Sequence, residues 1–78
     1  MIALKMRAVT VKRRLGQNVH KLRAAVGLTQ NRLSELAEID RSFLQRIEAG
    51  SSNPTAEVLV RLRHALKCSW NDLLAGLD

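Results

Sequence analysis

From residue 11 onward, apolar residues recur at the 3.6-residue period in short stretches, and each stretch is bounded by a residue that starts or stops a helix. Leu15, Val19, Leu22 and Val26 make one stripe down a first helix. Gly27 closes it, since glycine takes the left-handed conformation cheaply, with Leu28 folding back as the closing contact. Gly16 falls near the start of this helix, where its cost of about 1 kcal/mol against alanine does least damage. Thr29 is suited to cap a second helix whose inner face is Leu33, Leu36 and Ala37. After a tight connection at Glu38-Ile39, Asp40 caps a third helix, which buries Leu44 and Ile47 and ends at Gly50. Ser51-Ser52-Asn53-Pro54 reads as a loop, because proline biases Asn53 away from helical angles. Thr55 caps a fourth helix with Glu57 in its first turn, favourable to the helix dipole. Its stripe is Val58, Leu59, Leu62, Ala65 and Leu66. Ser69-Trp70-Asn71-Asp72 has the form of a capping box with Asp in place of Glu, followed by Leu73, Leu74 and Leu77 at helical spacing from Trp70. The expectation is an all-α chain of five helices.

Met1–Val11 is open between two readings. Ile2, Leu4 and Met6 alternate with Ala3, Lys5 and Arg7, a weak strand pattern, and the segment equally suits a disordered basic arm. It is set apart as an N-terminal arm, residues 1–11, ahead of a single folded domain, residues 12–78. A chain of 78 residues buries only about 60% of the surface its unfolded form exposes, so its apolar stripes all need partners and a partner subunit is expected. Cys68 is the one cysteine, which rules out an intramolecular disulfide and a cysteine cluster for zinc. A lone thiol and the lack of any long apolar run favour a cytoplasmic protein with no membrane partner.

Charge divides the chain. Lys and Arg total 13 against 7 Asp and Glu. Up to Ser34 stand Lys5, Arg7, Lys12, Arg13, Arg14, Lys21, Arg23 and Arg32 with no acid; Glu35 is the first. A basic half on so small a domain is either the footprint of a surface that meets a polyanion or a solvated, solubilising face. No helix pairs a Lys/Arg-rich face with a Trp/Phe/Leu face, which argues against an anionic membrane.

The second and third helices, joined by a three- or four-residue turn, have the layout of a helix-turn-helix. In that arrangement the second helix of the pair is a rod narrow enough for the major groove of DNA, about 12 Å wide. It must turn apolar residues to the core and polar, base-reading residues outward. Asp40–Ala49 fits: Leu44 and Ile47 point in, leaving Arg41, Ser42, Gln45 and Arg46 outside. Arg and Gln are the side chains that pair bidentately with guanine and adenine edges. Phe43 suits either the core or a stacking contact on a sugar or thymine methyl.

The combination Leu15-Gly16, Val19, Leu22-Arg23, Gly27-Leu28-Thr29-Gln30, Leu33, Ile47-Glu48-Ala49-Gly50 and Asn53-Pro54 resembles the Cro/repressor-type helix-turn-helix, the XRE family. The resemblance covers residues 12–75 and implies a five-helix, lambda-repressor-like DNA-binding domain. It implies that Gln30, opening the second helix, touches the DNA backbone and the first residue of the recognition helix, with Asn31 beside it. It places Arg41, Ser42, Gln45 and Arg46 toward the groove, with Phe43 a candidate contact at its rim, and pairs Arg23 with Glu48 as a structural ion pair tying the first helix to the third. The chain departs from the family pattern in three places. Glu38 stands where glycine is usual, and Ser34 where a small alanine is. The loop after the third helix offers Ser51, Ser52 and Asn53 in place of cations, leaving Arg13, Arg14 and the arm to supply phosphate contacts.

These expectations favour a sequence-specific regulator of double-stranded DNA, a homodimer reading a palindromic operator through its third helix, with Trp70, Leu74 and Leu77 at the dimer interface or closing the monomer core. The alternative is an antitoxin or other interaction module that masks a protein partner, for which helix five and Ile2, Leu4 and Met6 would supply an apolar patch. RNA binding is disfavoured, since Phe43 and Trp70 are the only aromatics. Nothing suggests an enzyme, a cofactor or a metal: His20 and His64 read as surface histidines and Cys68 as a packing residue.

Overall fold

In the computed structural model, which describes residues 2–77 and the side chains of residues 10–77, five helices follow one another: α1 (Ile2–Ala25), α2 (Gln30–Ala37), α3 (Arg41–Glu48), α4 (Ala56–Leu66) and α5 (Trp70–Leu73). The described residues contain no strand. Met1–Val11 is therefore neither strand-like nor a disordered arm over its described part: α1 runs unbroken from Ile2, so the arm and the first core helix are one rod. The run carries no proline and no helix-stopping turn signal before Gly27, so the backbone bonding of the core helix continues into it. The side chains of Ile2, Leu4 and Met6 lie outside the described residues.

The helix boundaries follow from local chemistry. Gly27, at φ 73°, ends α1 with Leu28 N–H donating to Arg23 O and Gly27 N–H to Ala24 O, the paired bonds of a glycine-terminated helix. Thr29 caps α2 by accepting from Arg32 N–H, and Thr55 caps α4 by accepting from Val58 N–H. Ser69 and Asp72 close the reciprocal capping box on α5. Asp40 occupies the cap position of α3 in extended backbone, but its side chain makes no capping bond. α5 is also shorter than its apolar pattern: it ends at Leu73, because Asn18 of α1 donates to the carbonyls of Leu73 (2.9 Å) and Ala75 (2.8 Å) and Gly76 turns the chain at φ 78°.

The core is one cluster drawn from every helix: Leu15 and Val19 of α1, Leu33 and Ala37 of α2, Leu44 and Ile47 of α3, Leu62 and Leu66 of α4, and Leu73 of α5. Full burial of a leucine or isoleucine contributes about 1.5–3 kcal/mol, so Leu44 and Ile47 alone hold α3 with several kcal/mol. Besides Trp70, two stripe positions do not reach the core. Val26 is 54% exposed and Leu36 44% exposed. Val26 follows the last residue of α1, where the chain turns away, and Leu36 faces outward between Leu33 and Ala37, which fill the α2 contact. Cys68 packs half-buried against the core, where burial and the charge of Asp72 push its thiol above its ordinary value, away from thiolate chemistry. No described helix is long and apolar enough to cross a membrane.

Candidate nucleic-acid interface

α2 and α3 are joined by Glu38, Ile39 and Asp40 alone. A turn this short needs a left-handed residue at the end of α2, and Glu38 takes it at φ 57°, ψ 47°. The conformation costs a non-glycine residue about 1–2 kcal/mol. It is held by Ile39 N–H donating to Ser34 O at 3.0 Å and by Arg61 of α4 donating to Glu38 O at 3.3 Å. Ser34, 4% exposed, satisfies its hydroxyl by donating to Asn31 O at 2.7 Å, so the serine fits the buried site without an orphaned polar group.

α3 sits across α1 at Gly16. A Cβ on Gly16 would run into the carbonyl oxygens of Ile47 and Glu48, the latter 2.8 Å away. The two helices therefore touch backbone to backbone, in the middle of α1. Sequence reasoning placed Gly16 at the helix start; the length of α1 moves it to the interior, and a glycine inside a helical pattern was the available signal.

One turn farther along, Glu48 gathers three side chains. Arg23 Nε donates to Oε2 at 2.8 Å and its Nη2 to Oε1 at 3.0 Å, while its Nη1 donates to Leu28 O at 2.8 Å. Gln30 Nε2 donates to Oε1 at 3.2 Å, and His20 Nδ1 lies 3.2 Å from the same oxygen. The carboxylate side chain is 6% exposed and that of Arg23 14%. Burial opposes ionisation of Glu48, yet the bonds from Arg23, Gln30 and His20 outweigh it and hold its carboxyl below the ordinary glutamate range. The Arg23 guanidinium is correspondingly held more firmly protonated by its bond to Glu48. Helices α1, α2 and α3 thus meet on one anion. The resemblance implied that Gln30 reaches the first residue of α3; its amide instead donates to Glu48, at the opposite end of that helix.

The outward face of α3 carries Arg41, Ser42, Gln45 and Arg46, all exposed, opposite Leu44 and Ile47, both fully buried. Phe43 is half-buried against the core, with the Arg46 guanidinium 5.6 Å from its ring centroid. Asn31 is exposed and donates to Glu35 at 3.3 Å. Ser52 is half-buried and Asn53 exposed in the α3–α4 loop, whose first turn is set by Gly50 at φ 77°. Arg14 lies elsewhere: its guanidinium rests beside Gly76, at the end of α5. Trp70 is 40% exposed, with Arg63 stacked 5.1 Å from its ring, whereas Leu74 and Leu77 are half-buried against the monomer core.

Residues 19–73 match the helix-turn-helix family model. The chain belongs to the helix-turn-helix family, of the XRE type, a family of DNA-binding transcriptional regulators. An uncharacterized HTH-type transcriptional regulator of Sinorhizobium fredii, y4dJ, is 31% identical over 68 residues, spanning 87% of this chain and 88% of that protein. The restriction-modification controller protein C.AhdI from Aeromonas hydrophila superposes with a TM-score of 0.74 at 35% identity, over 81% of this chain and 92% of its own. The clp gene regulator ClgR from Corynebacterium glutamicum gives a TM-score of 0.79 at 30% identity, over 82% of each chain. In this helix-turn-helix chain the pair is α2 and α3, and the five-helix all-α architecture is that of these regulators.

Proposed function

We propose that this chain reads double-stranded DNA by sequence, with α3 in the major groove, as a homodimer on a palindromic operator. The observation that carries the reading is the division of α3 into a fully buried apolar side, Leu44 and Ile47, and an exposed side of Arg41, Ser42, Gln45 and Arg46. Arg41, Ser42, Gln45 and Arg46 discriminate bases, each good bidentate pair giving about 1–3 kcal/mol. Gln30, Asn31, Ser52 and Asn53 contact the DNA backbone, with Phe43 at the rim, and phosphate contacts supply much of the affinity. Residues 12–78 are the reading unit, and the exposed Trp70 with Leu74 and Leu77 forms the subunit contact. Two copies would then set their third helices in successive major grooves, about 34–36 Å apart.

Selection of bound duplexes from a random pool tests this. A palindrome with half-sites one helical turn apart is expected. Salt-sensitive binding without any consensus refutes it, and moves the protein-masking alternative forward. That second reading is supported by the exposed Val26 and Leu36, which border a shallow apolar depression with Leu28 and Ala65.

A further inference from the structure

Glu48 Oε1 is over-subscribed. It lies within hydrogen-bond distance of Arg23 Nη2 (3.0 Å), Gln30 Nε2 (3.2 Å) and His20 Nδ1 (3.2 Å). A carboxylate oxygen offers about two lone-pair sites, so three donors cannot all be served well. Arg23 is secured twice more, at Oε2 and at Leu28 O, and does not let go. The competition is therefore between Gln30 and His20.

His20 has a conflict of its own. Its Nδ1 also lies 3.1 Å from Arg23 Nη2. Without a proton on Nδ1, the nitrogen accepts from Arg23 and turns a lone pair toward Glu48. With a proton there, it donates to Glu48 and meets the Arg23 N–H groups instead. One nitrogen cannot satisfy both neighbours at once. Histidine is the side chain whose charge ordinarily changes between pH 5 and 8, so the choice is open to pH. The charged groups around it are few: Glu48 from α3, Arg23 on its own helix, and Arg14 and Lys21, which line the same shallow surface groove of α1. Gln30 from α2 brings a dipole only. His20 is the solvent-facing member of the cluster, its side chain 63% exposed against 6% for that of Glu48.

We propose that His20 is a positioning residue for Gln30: when doubly protonated it takes Glu48 Oε1 and releases the Gln30 amide, and as the neutral Nε2–H tautomer, which Arg23 favours by donating to Nδ1, it leaves that amide held. The consequence for DNA rests on the reading of Gln30 as a backbone contact. A released amide is free to donate to a phosphate, and a held one is not.

The coupling is read first without DNA. In the full chain, the Gln30 side-chain amide resonances are followed by NMR from pH 5 to 8, in wild type, His20→Ala and His64→Gln. They are expected to move with the His20 ring resonances in wild type and His64→Gln, and to stay still in His20→Ala. Gln30 resonances that ignore the His20 titration, or that move equally in His20→Ala, overturn the proposal. Binding to a selected operator duplex is then measured at fixed salt. Wild type is expected to bind about two- to tenfold tighter at pH 5.5 than at pH 8, the size of one hydrogen bond. Gln30→Ala should flatten that profile. If the profile survives Gln30→Ala, the added positive charge of His20 acts directly and release of Gln30 is not the cause. If the resonances move as expected while operator binding is flat in every variant, the coupling stands and the reading of Gln30 as a DNA contact fails.

Discussion

The Gly16 contact makes the sharpest demand on the fold, and Gly16→Ala tests it. On an exposed helix interior the substitution stabilises, because alanine is about 1 kcal/mol better than glycine. At this position the new methyl enters the space of the Ile47 and Glu48 carbonyls, at 2.8 Å from the latter, where an ordinary carbon–oxygen contact needs several tenths of an ångström more. Neither obstacle is a flexible side-chain end; both are backbone of α3. Relief requires α1 and α3 to part, loosening Ile47 from the core. Overpacking of this kind costs about 1–3 kcal/mol. Subtracting the helical gain leaves a net loss of up to about 2 kcal/mol, opposite in sign to the propensity effect. Urea denaturation by circular dichroism would measure it, with Ala24→Gly, on the exposed side of α1, as the reference for propensity alone. DNA affinity should fall by more than stability explains, because the displaced helix is the one proposed to read DNA. A Gly16→Ala protein as stable as wild type, with unchanged binding, would refute the backbone-to-backbone contact.

Four further outcomes follow from the geometry. Arg23→Ala leaves the buried Glu48 carboxylate with only Gln30 and His20, and should cost about 3 kcal/mol in chemical denaturation. Glu48 is held below its ordinary value near 4.5, so the stability it contributes is complete above that range and is lost as pH falls through the lower folded value; acid unfolding should lose that step in Glu48→Gln. Glu38→Gly relieves the left-handed cost at the turn while loosening the unfolded chain, for a net gain of up to about 1 kcal/mol by thermal melting. Arg41→Ala should relax preference at one base position in duplex selection, whereas Arg14→Ala, placed beside Gly76, should alter overall affinity without altering the consensus.

What could be read in the sequence was what periodicity and caps encode. Thr29, Thr55 and the Ser69–Asp72 box state where helices begin through single local hydrogen bonds, and Leu33, Leu44, Ile47 and Leu62 state which faces turn inward. The errors lie where a local signal depended on distant structure. Met1–Val11 alternates like a weak strand, yet from Ile2 on it inherits helix from the rod it is joined to. Val26 and Leu36 keep the right spacing, but a stripe is buried only as far as its neighbours extend. Asn18 and Gly16 carry long-range work, holding carbonyls at the end of α5 and admitting the α3 backbone, and no pattern within α1 reveals the partner 31 to 57 residues away. His20 stands three residues before Arg23, on the same side of the helix, but only the fold shows that both converge on Glu48.

An eight-residue helix is too short to hold its own shape in water, so the orientation of α3 must come from what grips it. The grips are graded along its length. At its C-terminal end stand the Gly16 contact, the Glu48 cluster and the Gly50 turn against Arg13. In the middle are Leu44 and Ile47. At the N-terminal end, where Arg41 and Ser42 project, Asp40 makes no side-chain capping bond and leaves the first-turn N–H groups without one. A reading helix gains from this gradient. On the proposed function, the far end would fix the angle at which the rod enters a groove, while the near end would keep donors and cations unspent for the ligand. It follows that substitutions at Gly16, Arg23 or Glu48 should weaken binding to all duplexes in proportion, since they tilt the rod. Substitutions at Arg41 or Gln45 should change which duplex is preferred. A Glu48 variant that switched the consensus while keeping its affinity would place the specificity in the clamp and break this division.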